Sequence, residues 1–429
     1  MKWGKTCKHV GENFSKSFPH KNITLKKLML EKFPHKTKIH ERNEDRIMNI
    51  QLLNKIAKVG LNELGDRYNV GEDVQNPDGI MVRSAAMHDM EFGSELKAIA
   101  RAGAGVNNIP IDRCSEAGVV VFNTPGANAN GVKELAICAL LLAARDVVGG
   151  IEWAKTLTED VAKQVEKGKS KFAGTELQGK TLGVIGLGAI GGLIANVAIH
   201  LGMKVISCDP FLSVEAAWNL NHRVTRAATY DEIFEQADYI TLHVPATKDT
   251  KNMVCTENIA KMKDGVKIIN LARADLVSAA DLKVAMEAGK VSAYVTDFPT
   301  EEVLAIPGVV AIPHLGASTE ESEDNCAVMA ARELDDYLTN GNIKNSVNYP
   351  NVEMPHSGAA RICVLHANVP AVITGITTAL SNEGLNIENM TNKSKGENAY
   401  TMVDLSSVPS EHAVATISAV DGVRKVRVI

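Results

Sequence analysis

The stretch that most limits how this chain can fold is GVIGLGAIG, residues 183–191. It places Gly186, Gly188 and Gly191 in a G-x-G-x-x-G set, directly after an apolar run and at the head of a helix expected over roughly 189–201. In that setting the first glycine permits a tight turn and the second lets backbone approach a pyrophosphate. The third lets the helix pack closely on the strand, while the helix N-terminus faces the anion. Alone the motif is weak; its context strengthens it. The next strand, KVISCD (204–209), ends in Asp209, whose carboxylate suits an adenosine ribose and repels a 2′-phosphate. NAD, rather than NADP, is the expected cofactor.

The rhythm around this motif is strand, helix, strand. After Gly179 come strands TLGVIG, KVISCD, YITLHV, VKIINLA, VSAYVTD and GVVAIP, with helices at 230–237 and 279–289 between them. That order implies a parallel, doubly wound sheet covered on both faces. Upstream, GIMVRS (79–84), LKAIARAG (96–103) and GVVVFNTPG (118–126) suggest a second α/β lobe. Two long helices, about Val132–Gly149 and Glu320–Asn340, flank the nucleotide lobe and suggest crossovers, so the later one completes the first lobe. A polar stretch, 341–358, reads as a linker to a C-terminal unit of order βαββαβ, a small ferredoxin-like domain. The expected fold class is therefore α/β: a Rossmann-like nucleotide-binding domain (146–317), a discontinuous flavodoxin-like substrate domain (48–145 and 318–344) and a ferredoxin-like domain (359–429).

Composition narrows the partners. The net charge of −5 across 429 residues does not suggest nucleic-acid binding. Residues 1–47 carry twelve Lys/Arg against five Asp/Glu. They read as a poorly packed basic extension without a catalytic part, and Met48 opens a stretch that resembles a natural beginning. Seven cysteines (Cys7, Cys114, Cys138, Cys208, Cys255, Cys326, Cys363) are scattered without a C-x-x-C pair, which suggests reduced thiols in the cytoplasm and no metal centre. The longest apolar run, 135–144, is about half a bilayer span, so no membrane role is expected.

Three chemistry-bearing groups close strands of the nucleotide sheet. Arg273 follows VKIINLA, a glutamate in FPTEE follows VSAYVTD, and His314 follows GVVAIP. Ligands of open α/β sheets bind beyond the carboxyl ends of the strands, so one cleft can gather all three. The set suits oxidation of a 2-hydroxy acid. Arginine holds the carboxylate and polarises the C2 oxygen, histidine takes the hydroxyl proton, and glutamate fixes the imidazole tautomer.

In order, GVIGLGAIG, LHVPAT (242–247), NLARADLV (270–277), DFPTEEVL (297–304) and PHLGAST (313–319) resemble the D-isomer-specific 2-hydroxyacid dehydrogenases. The resemblance spans about residues 48–429. It implies Arg273, Glu302 and His314 as the catalytic set, Glu302 following from a gapless match to D-V-F-x-x-E-P-L; a shift by one residue would select Glu301. It further implies Gly186, Gly188, Ala189, Ile190, Gly191, Asp209, His243, Val244, Pro245, Ala272, Asp297, His314 and Gly316 around the cofactor. For substrate it implies Arg83, Ser84, Arg101, Gly103, Ala104, Asn128 and Arg273, with Lys133 nearby. The implied reaction is NAD-dependent oxidation of 3-phospho-D-glycerate at the start of serine synthesis. Alternatives are a hydroxypyruvate or glyoxylate reductase and an NAD-sensing, corepressor-like protein.

The C-terminal stretch RICVLHANVPAVITGITTALSNEGLNIENM resembles an ACT domain. That resemblance implies His366, Asn368 and Asn386 as an L-serine site across paired copies, although Ala371 stands where relatives commonly carry glycine. A homodimer or homotetramer is the expected assembly.

Overall fold

The structure, a computed structural model, describes residues 46–429. The basic extension expected at 1–47 therefore lies almost wholly outside the described residues.

The first sheet holds β1 (Met48–Leu52), β2 (Tyr68–Gly71), β3 (Gly79–Val82), β4 (Ala98–Arg101) and β5 (Val120–Phe122). All pairings are parallel and the order is β2-β1-β3-β4-β5, the flavodoxin-like arrangement. The continuous apolar runs of β3 and β4 fit this, because both faces are covered. One cover comes from far along the chain, the helix Glu320–Asn340. Cys326, Ala327, Ala330, Ala331, Leu334, Tyr337 and Leu338 recur at helical spacing along one side and join the core of this sheet. Thr319 caps the helix, its hydroxyl accepting from Ser322 N at 3.1 Å.

The second sheet holds β6 (Thr181–Ile185), β7 (Lys204–Cys208), β8 (Val224–Arg226), β9 (Tyr239–Leu242), β10 (Val266–Asn270), β11 (Val291–Thr296) and β12 (Val309–Ala311). It is parallel in the order β12-β11-β10-β9-β6-β7-β8, so the winding reverses between β6 and β9. That switch point opens a crevice beyond the strand tips. The helix expected over Val132–Gly149 is instead two helices. Ala129–Ala144 packs Val132, Ala136, Ala139, Leu140 and Ala143 onto this sheet. Arg145 is extended, and a new helix, Val147–Lys155, begins where the Asp146 carboxylate accepts from Gly149 N at 2.9 Å. The aspartate cap starts a second helix inside what reads as one apolar period.

The third sheet is antiparallel: β13 (Ala360–Ala367), β14 (Ile387–Lys395), β15 (Asn398–Leu405) and β16 (Val423–Val428), in the order β14-β15-β13-β16. Helices Val372–Asn382 and Glu411–Ser418 complete the βαββαβ order. Alternation along the strands divides its residues between two cores. Ile362, Val364, Val403 and Leu405 pack with these two helices. Cys363, Leu365, Tyr400 and Met402 join the core of the first sheet.

The stretch 341–358 is not a loose linker. Ile343, Tyr349 and Val352 are fully buried, and Val347 N donates to Val121 O at 2.8 Å along the edge of β5. The Asn348 side chain donates to Val119 O and accepts from Val121 N, both at 2.9 Å. Its polar residues satisfy a sheet edge, which is why composition alone suggests a loop.

Candidate active site

The glycine-rich turn has the three properties its motif requires. Gly186 has φ of 91°, and a Cβ there would lie 2.6 Å from His243 O. A Cβ on Gly191 would collide with Gly186 O, whereas one on Gly188 meets nothing within 4 Å. Gly188 thus leaves room for a ligand at the start of the helix Ala189–His200, whose first turn has no side-chain cap. At the tip of β7, Asp209 accepts from Leu187 N at 2.7 Å and from Phe211 N at 2.8 Å. Each oxygen keeps a lone pair for a ribose hydroxyl. At the tip of β9, His243 bonds Thr241 Oγ1 at 2.8 Å, and burial pulls its pKa down to about 4, so it is neutral at physiological pH. Val244 and Pro245 continue this wall, Pro245 O accepting from Thr250 Oγ1 at 2.6 Å. Together these groups suit a dinucleotide lying across the switch point.

At the end of β10, Asn270 shapes the turn that displays Arg273. Its amide donates to Arg273 O at 2.9 Å and to Tyr294 OH at 3.1 Å, and its carbonyl accepts from Ala272 N at 3.2 Å. Arg273 is exposed, and among the described residues its guanidinium gives one bond, to Ala272 O at 2.6 Å. Beyond β11, Asp297 is buried; Oδ2 accepts from Gly316 N at 3.4 Å, and Oδ1 has no partner among the described residues. Burial raises its pKa, opposed by the charges of His314 and Arg273. Asp297 thus lies within the fields of both cationic candidates, His314 and Arg273. Beyond β12, His314 is exposed, its ring 4.6 Å from that of Phe298.

Glu302 lies in the short helix Glu301–Leu304, capped by Thr300, and lines a cleft with Tyr294 and Phe298 that Glu301 does not line. The expected hydrogen bond to His314 is not formed: neither Glu301 nor Glu302 bonds the imidazole. Phe298 is common to both surroundings: its ring lies 4.6 Å from that of His314, and it lines the cleft with Glu302. Catalytic hydrogen bonds often tighten only with substrate bound.

The first lobe brings two more guanidinium groups. The Asn54 carbonyl accepts from Arg83 N, Ser84 N and Ala85 N at 3.1, 2.9 and 2.9 Å, which fixes the loop after β3. Arg83 pairs with Glu323 at 2.6 Å, and Arg101 Nε donates to Arg83 O at 3.1 Å. Burial lowers the Arg101 pKa, and the charges of Arg83 and Arg273 lower it further. Arg101, from the first sheet, therefore stands close to Arg273, from the second. Gly103 closes this loop, its carbonyl accepting from Thr124 N at 3.2 Å, and Ala104 O accepts from Asn123 Nδ2 at 2.5 Å. Asn128 caps the helix Ala129–Ala144 without using its side chain, which leaves that amide free for a ligand. Lys133 is turned to its own helix, bonding Asn130 at 2.5 Å and pairing with Glu134 at 3.6 Å.

Sequence reasoning missed Asn54, Asn270 and Glu323. The two asparagines each follow or end a strand, a position whose free backbone groups call for such a partner. Glu323 had no sequence signal, because its partner lies 240 residues away.

The three residues singled out in the C-terminal unit are not brought together within one chain. His366 is buried, with Nε2 bonded to Thr401 Oγ1 at 2.9 Å and Nδ1 to Ala367 O at 2.7 Å. Asn368 donates to Gly396 O at 3.1 Å, whereas Asn386 donates to Glu388 at 3.0 Å. His366 faces Ala399, and Asn386 bonds Ser406 at the other end of β15, on the order of 20 Å away. Among the described residues no helix is long and apolar enough to cross a membrane, and no group of His, Cys, Asp and Glu could hold a metal ion.

Residues 139–316 match the family model for D-isomer specific 2-hydroxyacid dehydrogenase, NAD binding domain. The chain is 35% identical over 313 residues to a D-3-phosphoglycerate dehydrogenase of Synechocystis sp., covering 70% of this chain and 54% of that one. It thus spans about half the length of that relative. It is 37% identical to a hydroxypyruvate reductase of Thermotoga maritima, covering 63% of this chain and 88% of that protein. Among solved structures, the NAD+-bound 3-phosphoglycerate dehydrogenase of Entamoeba histolytica superposes with a TM-score of 0.55 at 30% identity, covering 70% of this chain and 98% of that one.

Proposed function

We propose, because this chain belongs to the D-isomer-specific 2-hydroxyacid dehydrogenase family, that it oxidises 3-phospho-D-glycerate to 3-phosphooxypyruvate with NAD as acceptor. The observation that carries the reading is a cluster of guanidinium groups from two lobes: Arg101 bonds Arg83 O at 3.1 Å and feels the charge of Arg273, which with His314 acts on Asp297. A substrate with both a carboxylate and a phosphate needs two cationic anchors, and guanidinium groups from the two lobes suit that need.

The turn at Gly186, Gly188 and Gly191 and the Asp209 carboxylate would hold NAD. When bound, it accepts the hydride that leaves C2. Arg273 grips the carboxylate and polarises the C2 oxygen, while Arg83 and Arg101 receive the phosphate. His314 takes the hydroxyl proton, so that proton and hydride leave the same carbon–oxygen unit together. Glu302 approaches the second ring nitrogen as the lobes close, favouring the imidazolium that forms. Such proton transfer contributes about 10²–10⁴-fold in rate.

The C-terminal unit is proposed as ACT-like, on its βαββαβ order. With both His366 nitrogens engaged, its support of the first sheet is better founded than L-serine binding. Substrate choice is tested by initial rates of NADH formation. The reading expects kcat/KM for 3-phospho-D-glycerate to exceed that for D-glycerate by about a hundredfold or more, in line with a charge-assisted phosphate contact. Equal values, with fast hydroxypyruvate reduction, would instead favour the reductase reading suggested by the Thermotoga relative.

A further inference from the structure

A second cleft, of about 610 Å³, shares no residue with the guanidinium cluster. Its walls come from three parts of the chain: Asn123 after β5, then Asn345, Ser346 and Asn351 from the stretch beyond the long helix, and Lys393 and Lys395 from β14. Positions 393 and 395 lie two apart on a strand, so both lysines face the same side. Lys395 is anchored, its ammonium donating to Ser346 O at 2.8 Å. Lys393 is exposed, and its ammonium forms no ion pair or hydrogen bond among the described residues.

No carboxylate lines this cleft. The acid behind its wall, Glu333, accepts from Asn345 Nδ2 at 2.7 Å, and burial pushes its pKa up to about 8, so it adds little negative charge at neutral pH. Two ammonium groups, three amides and two hydroxyls, with no acid in the lining, make a positive, donor-rich surface. The geometry points to a binding site for a small polyanion, one carrying two or more carboxylate or phosphate groups, at the seam between the C-terminal sheet and the first lobe.

The seam connects to the candidate active site. The wall stretch bonds β5 through Val347 N and Val121 O at 2.8 Å, and Asn123 Nδ2 reaches Ala104 O at 2.5 Å. Asn398 Nδ2 ties the C-terminal sheet to the same stretch through Asn348 O at 2.8 Å. A polyanion that draws on the Asn123 amide competes for the bond that holds the 103–104 loop. This part rests on the proposed function: the ligand should change KM for the hydroxy acid more than kcat.

Two probes distinguish the anion's source, citrate for polycarboxylates and inorganic pyrophosphate for phosphates. Calorimetric titration of the full chain carrying Arg273→Ala isolates this cleft from the strongest anion contact of the other. At least one probe is expected to bind, about tenfold or more weakly once Lys393→Glu is added, and to weaken as salt rises. Lys393→Gln, which keeps the shape and removes only the charge, should give an intermediate loss. Binding of both probes unaffected by either lysine change overturns the site, as does absence of binding in the parent. Because heat is read without turnover, failure of the dehydrogenase reading leaves this result intact. Binding with no change in KM of the unsubstituted chain overturns the coupling to the 103–104 loop.

Discussion

The interlobe cleft and the C-terminal sheet both hold arginine, histidine and carboxylate side chains, yet they partner them in opposite ways. In the cleft, Arg273 and His314 are exposed, and among the described residues the imidazole forms no hydrogen bond and the buried Asp297 Oδ1 has no partner. In the C-terminal sheet, Arg361 is 1% exposed and bidentate to Asp404, at 2.6 and 2.9 Å. Its third nitrogen donates to Asn340 O at 2.7 Å, at the end of the long helix. His366 likewise has both ring nitrogens engaged. Residue type therefore signals chemistry only where partners are missing. The same types with every partner supplied hold lobes together.

The contrast can be broken most forcefully at Arg273. Arg273→Ala is expected to lower kcat/KM for 3-phospho-D-glycerate by about a thousandfold, the scale of a lost charge-assisted contact in the transition state. Its unfolding midpoint in urea should match the unsubstituted chain.

Asp404→Ala should do the reverse, destabilising by about 3–5 kcal/mol because Arg361 is left buried and unpaired. Burial acts to raise the Asp404 pKa, but hydrogen bonds from Arg361 and Ser357 outweigh it and hold it below its usual value. A depressed carboxyl stabilises the fold above the unfolded-state value of 3.8 and loses that contribution as pH falls through the folded-state value. Acid unfolding curves of the two proteins should therefore converge at low pH.

Glu333 sharpens the comparison with the opposite sign. Its pKa, raised from 4.5 to about 8, means the folded chain holds a proton the unfolded chain has released, so stability falls as pH rises across that interval. Glu333→Gln should flatten this slope and stabilise by about 2 kcal/mol at pH 8, read from urea midpoints at pH 5 and pH 8. A smaller effect is expected at Ala371, which has φ of 71°, a left-handed conformation that costs a side-chain-bearing residue. Ala371→Gly should gain about 1 kcal/mol or less, visible as a small rise in Tm.

The strand-tip logic of the cleft was legible in the sequence because local patterns encode it: an apolar run, a glycine turn, and a chemical group one or two residues beyond. β6, β7 and β9 to β12 all lie in the expected runs, and the C-terminal unit has the expected βαββαβ order. The short edge strand β8 escaped notice, its three residues Val224–Arg226 too few to show a period. So did the break at Arg145, set by a single aspartate cap within an apolar helix. The seating of the C-terminal sheet was hidden for a different reason. Cys363, Leu365, Tyr400 and Met402 read as ordinary inward strand positions, and only tertiary structure shows that their partner is another lobe. Likewise Arg83 and Arg101 were legible as candidates, but the pairing with Glu323 and the approach to Arg273 depend on contacts far apart in sequence.

The most direct measurement is the turnover of 3-phospho-D-glycerate and NAD by His314→Gln, with NADH affinity determined on the same preparation by fluorescence titration. Removal of the proton acceptor alone predicts a fall in kcat of about 10²–10⁴-fold with NADH binding unchanged. A variant turning over at nearly the rate of the unsubstituted chain would contradict the assignment of His314, and with it the chemistry placed in this cleft.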